Sequence, residues 1–212
     1  MQTTERLFDL TRSVAGKYLQ KIENPWEALP KIGAWIKELQ KTLGGDHEQR
    51  EEGIFVHKSA KISEKAVLCA PCIVGAESEI RPGAFLRGNV IVGKNCTVGN
   101  STELKNAVLF DEAQAPHFNY VGDSILGYEA HLGAGVILSN LRSDKSAVFR
   151  TPFLYKAGAM VGDRAEIGCN SVLNPGTVIG RDSTVYPLSL VRGEIPEKSI
   201  CKAGMLIVKK RG

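Results

Sequence analysis

Aliphatic residues recur at every sixth position from Val56 through Ile62, Leu68, Val74, Ile80, Leu86, Val92 and Val98 to Leu104, without a slip. The period returns at Leu126, Leu132 and Leu138, and again at Val161, Ile167, Leu173, Ile179, Val185 and Val191. Small residues follow four places later, as at Ala60, Ala66, Cys72, Ser78 and Ala84, and Gly often comes directly after, as at Gly75, Gly93 and Gly133. Neither the 3.6 period of a helix nor the 2 period of a strand produces a strict six. A triangular coil of three six-residue sides does. Its aliphatic residues point inward, the small residues fill the space beside them, and the coils stack as neighbouring strands ~4.8 Å apart. The repeat therefore predicts a mainly β chain, a left-handed parallel β-helix of hexapeptide repeats, spanning residues 51–212.

Three stretches depart from the period. Residues 1–50 lack it and predict a short N-terminal α-helical segment. Asn24-Pro25 reads as an N-cap with Pro at the first helical position, and Trp26, Leu29, Ile32, Ile36 and Leu39 keep helical spacing up to Gly44-Gly45. Residues 4–22 also read as a helix, and the polar run from His47 to Gly53 reads as a linker. Around 110–120, His117, Phe118 and Tyr120 bring large rings into a repeat that favours small residues. Over 141–158 the period is lost, which predicts an outward loop beside a binding face.

The composition narrows the function classes. No apolar run approaches the ~20 residues needed to span a bilayer, and no secretory signal is evident at the start. Five cysteines without framework spacing fit a reducing cytoplasm. A net charge of +4 with a short basic end does not point to nucleic acid, and it suits a phosphate-bearing ligand. Cys69-Ala70-Pro71-Cys72 has CxxC spacing. However, Cys72 falls on a small inward slot and no second pair completes a zinc site. His117 and His131 are too widely spaced to suggest a histidine metal site, so no metal is expected.

The segment from Arg87 to Asn140 resembles the acetyltransferase half of the bifunctional N-acetylglucosamine-1-phosphate uridyltransferase/glucosamine-1-phosphate acetyltransferase family. The likeness rests on Leu86-Arg87, Glu103-Leu104-Lys105, His117-Phe118-Asn119-Tyr120-Val121-Gly122-Asp123, Gly133-Ala134-Gly135 and Asn140. It implies a homotrimer with sites between subunits, acetyl-CoA as co-substrate, and an amino-sugar phosphate or nucleotide-linked amino sugar as acceptor. It implies His117 as general base, Asn140 at the reacting centre, and Arg87, Glu103, Lys105, Tyr120 and His131 at the acceptor. Ala134, Cys169 and Lys202 match positions near coenzyme A. Arg81 sits in an Arg-Pro-Gly like the family's own, but Arg87 lies one eighteen-residue coil before Lys105 and is preferred. The resemblance carries no counterpart of the family's nucleotide-sugar-forming half.

These roles agree with the chemistry. An amine attacking a thioester must shed a proton, and an imidazole takes one near neutral pH. The oxyanion that forms needs donors, such as corner N–H groups or the Asn140 amide. Two departures bear on the acceptor: Leu141 replaces the family's Tyr, and His131 replaces an acceptor-site Asn. The alternative reading is a non-catalytic β-helix that binds a sugar nucleotide or scaffolds a partner nucleotidyltransferase.

Overall fold

The computed structural model describes residues 2–150 and 153–210. It is a left-handed parallel β-helix with a helical segment laid against one of its three faces. Each face contributes one inward column of aliphatic side chains. One runs Val56, Val74, Val92, Leu109, Leu126, Val161, Ile179 and Ile195. The next runs Ile62, Ile80, Val98 and Ala115, and higher up Leu132, Ile167, Val185 and Cys201. The third runs Leu68, Leu86, Leu104, Val121, Leu138, Leu173 and Val191. Nearly all are buried, and together they form one continuous core along the axis.

The outward residues make the three faces unlike. On the first, Ile73, Ile91, Val108, Ile125, Met160 and Val178 form a second core with Leu7, Phe8, Leu19, Trp26, Leu29, Ile32 and Ile36 of the N-terminal segment. The second is polar, with Lys61, Glu79, Thr97, Gln114, His131, Glu166 and Thr184 in line. The third is open and largely apolar, with Val67, Phe85, Glu103, Tyr120, Ile137, Val172 and Leu190 in line.

The N-terminal segment differs in detail from its sequence pattern. Residues 4–22 are not one helix but Thr4–Leu7, a 3-10 turn at Leu10–Arg12, and Gly16–Leu19. The breaks let the chain follow the flat sheet. At Gly16 a Cβ would collide with the Leu10 carbonyl oxygen, so only glycine permits the fold-back. Pro25–Lys31 is a 3-10 helix leading into the α-helix Ile32–Gln40. Asn24 precedes it but caps no backbone N–H; its amide donates to Glu27 instead. The expected linker is largely a strand, His47–Glu51, paired antiparallel with Ile54–His57. At the other end Leu206–Lys209 pairs antiparallel with Ser199–Lys202. Each added strand covers a sheet edge that the outermost coil would otherwise leave unpaired.

A buried carboxylate ties the segment to the coils. Asp163 is fully buried and accepts from the backbone N–H of Asp9 at 2.7 Å and of Tyr128 at 2.9 Å. Arg181 Nε lies 3.3 Å from the same carboxylate. No helix among the described residues is long and apolar enough to cross a membrane. Burial pushes the Cys72 and Cys96 thiols up to about 12, so neither is a thiolate near neutral pH.

Candidate active site

Two successive coils are one residue short at the same corner. Phe85 and Leu86 pair with Glu103 and Leu104, eighteen residues on, but Val90 pairs with Ala107, only seventeen on. In the next coil Glu103 pairs with Tyr120 and Ala107 with Ser124, again seventeen. The shortened corners run the open face directly into the helix-covered face as continuous strands, Glu103–Leu109 and Tyr120–Leu126. Asn106 and Asp123 stand at these corners with φ of 50° and 47°, a left-handed conformation that Asn and Asp tolerate better than most residues.

The corner gathers several candidate residues around the buried Asp123 carboxylate. Lys105 Nζ donates to its two oxygens at 3.0 and 2.9 Å, and Asn106 Nδ2 donates to Oδ1 at 2.9 Å. The Asn140 amide donates to Oδ2. The Tyr120 hydroxyl and the Asn140 amide nitrogen meet over Gly122. Burial, reinforced by the carboxylates of Glu103 and Asp123, holds the Tyr120 pKa above the ordinary phenol range. Gly122 makes room for this convergence. A Cβ there would lie 2.6 Å from the Tyr120 hydroxyl and 2.8 Å from the Asn140 amide nitrogen. On the adjoining open face, Arg87 Nη1 meets Glu103 Oε1 at 2.6 Å. Arg81 instead pairs with Glu79 at the polar face.

His117 stands at the other edge of the open face, in the turn between Gln114–Ala115 and Tyr120–Leu126. Its side chain is exposed and its ring makes no hydrogen bond among the described residues. The turn is held from beneath by Asn119. That buried side chain accepts from the His117 backbone N–H at 3.1 Å and donates to the Gly133 carbonyl at 2.8 Å. Above it the same corner continues upward. The Gly135 N–H donates to the His117 carbonyl, Asn170 to Ala134, and Leu188 to Cys169. Cys169 is exposed on this column, and in the last coils Lys202 Nζ sits 5.8 Å from the centre of the Tyr186 ring.

The structure thus brings together Lys105, Tyr120 and Asn140, with Glu103 and Arg87 beside them, and strings His117, Ala134 and Cys169 along one edge. It sets His131 apart, on the polar face, where Nδ1 is 2.8 Å from Glu166 Oε2. The outward loop leaves the prism directly after Asn140. A Leu141–Lys156 bridge closes its base, and Phe149–Arg150 pairs with Phe153–Leu154. Phe149 stacks on Trp26 at 4.3 Å, so the hairpin and the N-terminal segment meet over this corner. Sequence reasoning gave no role to Asp123 or Asn106. The signal was present as a spacing of five, not six, between inward Leu104 and Leu109, and again between Val121 and Leu126.

Residues 68–151 match the protein family described as the GMPPB C-terminal domain. The bifunctional protein GlmU of Methanococcus vannielii is 29% identical over 210 residues, taking in 92% of this chain and 49% of that protein. GlmU of Methanococcus maripaludis is 30% identical over 205 residues, taking in 92% and 50%. The chain therefore spans about half the length of these relatives. Among solved structures, a mutant of AntD, an N-acyltransferase from Bacillus cereus in complex with dTDP and coenzyme A, is similar with a TM-score of 0.45. The identity is 19%, over 80% of this chain and 92% of that one.

Proposed function

We propose that this chain, which resembles the β-helix acetyltransferase domain of the bifunctional GlmU proteins, moves an acetyl group from acetyl-CoA to the amine of an amino-sugar phosphate or nucleotide-linked amino sugar. The observation that carries the reading is the convergence of Lys105 and Asn140 on Asp123, with the Tyr120 hydroxyl beside them over Gly122, at the edge of the face whose other edge bears His117. The acceptor nitrogen attacks the thioester carbonyl and gives up its proton to His117. The tetrahedral intermediate then collapses, the C–S bond breaks, and coenzyme A leaves as its thiol once protonated. The Asn140 amide and corner N–H groups near Gly133–Gly135 stabilise the oxyanion. Arg87 and Lys105 recognise the acceptor's phosphate. Thiol release from acetyl-CoA across a panel of amino-sugar phosphates and nucleotide amino sugars tests this. Silence with every acceptor refutes it.

A second reading is a β-helix that binds a sugar nucleotide or scaffolds a partner without transferring acetyl. It is compatible with the match of residues 68–151 to a family whose description, GMPPB C-terminal domain, names no transfer reaction. A chain that releases no thiol but is thermally stabilised by a sugar nucleotide would fit it.

The assembly we expect is a homotrimer. Of the three faces, one is covered by the chain's own N-terminal segment and one is polar. The open face leaves Val67 54%, Phe85 37% and Leu190 66% exposed in one line with Glu103 and Tyr120. Burying that line around a three-fold axis would draw two candidate site residues into the interface. Light scattering should give three times the chain mass, and a monomer at micromolar concentration would remove the shared site.

Deleting residues 142–155 with a short link from Leu141 to Lys156 should leave the coils folded, because Asn140 and Ala157 are already hydrogen-bonded at the base. The acceptor KM should rise by about ten-fold, as for loss of one charge-assisted contact. An unchanged KM would show that Arg142, Lys145 and Arg150 do not border the acceptor.

A further inference from the structure

We infer that the N-terminal segment is part of the acceptor site, acting through Asn106 as a positioning residue for Lys105 and Asn140. Asn106 Nδ2 donates to Asp123 Oδ1 at 2.9 Å and to the Leu29 backbone carbonyl at 3.2 Å. Leu29 lies in the 3-10 helix Pro25–Lys31, whose Trp26, Ala28 and Leu29 side chains are buried in the second core against the β-helix. The same amide therefore touches the docked segment and the carboxylate that orients Lys105 and Asn140. The next turn of the segment presses on the corner one coil below. A Cβ on Gly33 would meet Asn89 Oδ1 at 2.5 Å. The shortened corner makes this reach possible, because it brings Asn106 and Asp123 into register where the open face meets the covered one. With the segment docked, Asp123 is held by three side chains and its oxygens point at Lys105 and Asn140. With the segment loosened, the Asn106 amide loses its second anchor and the carboxylate gains freedom to turn.

This inference rests on the acetyl-transfer reading, so the test has a readout that is independent of activity. Asn106→Gly removes the amide yet keeps a backbone suited to φ of 50°. Lys105 acetylation by a water-soluble succinimidyl ester, followed by mass spectrometry with exposed Lys65 as internal reference, reports the Lys105–Asp123 pair. In Asn106→Gly the Lys105 labelling rate should rise several-fold. The kcat for acetyl transfer should fall ~10–100-fold, the equivalent of one hydrogen bond to a charged group, with the acetyl-CoA KM unchanged. Leu29→Ala leaves Asn106 intact and loosens only the segment, and it should raise labelling in the same direction. Unchanged labelling in Asn106→Gly overturns the inference whatever the activity. Raised labelling with full kcat overturns the role in the site, and unchanged labelling in Leu29→Ala overturns the link to the segment. If the unmutated chain acetylates no acceptor, the acetyl-transfer reading fails by itself. The labelling ratios then still decide whether the segment holds the Lys105 pair.

Discussion

Replacing His117 with Ala is expected to lower kcat by ~10²–10⁴-fold, the usual contribution of a positioned acid–base group, while the acetyl-CoA KM changes little. On the proposed reading the acceptor is an amine, largely protonated near neutral pH, and needs a base before or during attack. His117 can be removed cleanly. Its ring is exposed, and the turn that carries it is fixed by the buried Asn119, not by the imidazole. The stability change should therefore stay within about 0.5 kcal/mol, as for other exposed substitutions. Steady-state kinetics with varied acceptor and varied acetyl-CoA, alongside a thermal melt, separate the two effects. Full activity in His117→Ala would make the histidine a turn residue and confine the family likeness to the fold.

The second large effect is on stability. Asp163→Ala should destabilise the chain by about 2–5 kcal/mol, because it strips a buried acceptor from two backbone N–H groups and removes the counter-ion of Arg181. The two N–H groups belong to Asp9 and Tyr128, one on the N-terminal segment and one on the coils. Arg181 can turn toward solvent and toward the Glu5 carbonyl it already reaches, so the cost falls mainly on the two backbone N–H groups. The loss should fall first on docking of the segment. Protease cleavage around residues 9–24 should accelerate at a denaturant concentration that leaves the coils intact, with a lower midpoint in urea. Asp163→Asn keeps one acceptor oxygen and should lose roughly half as much. A urea midpoint and cleavage rate equal to those of the unmutated chain would show that the segment is held by its apolar contacts alone.

The two outcomes would be read together, since the segment and the site share a corner. A chain that loses its docked segment should also lose acceptor turnover if Asn106 transmits the docking, and should keep it if Asn106 does not.

Much of the architecture was legible without coordinates. A strict period of six admits few backbones, so the coil, its inward columns and the stacking of residues one coil apart followed from the aliphatic positions. The preference for Arg87 over Arg81 rested on that stacking. The structure sets Arg87 on Glu103, one coil before Lys105, and Arg81 on Glu79 at the polar face. Cys72 and Cys96 likewise fill inward slots and are buried. What eluded sequence reasoning came from interactions between units of different period. The break of residues 4–22 into short turns answers to the flat row from Ile73 to Val178, which no local propensity encodes. The polar run at His47–Glu51 became a strand because an uncovered coil edge offers hydrogen bonds to any extended chain.

The sequence by itself determined the repeat unit, the direction each side chain faces, and the proximity of positions one coil apart, because a regular solenoid converts spacing directly into neighbourhood. Only the tertiary structure decided what the breaks in that regularity bring together. Two coils drop a residue, and the buried Asp123 lies at the second of those corners. There it draws Lys105, Asn106 and Asn140 onto one carboxylate, while His131 is left on the opposite polar face. The physical reason is that a one-residue deletion barely disturbs a hydrophobic pattern. It nonetheless brings the polar side chains of successive corners toward one another, which becomes visible only when the coils are stacked and the N-terminal segment is laid over them.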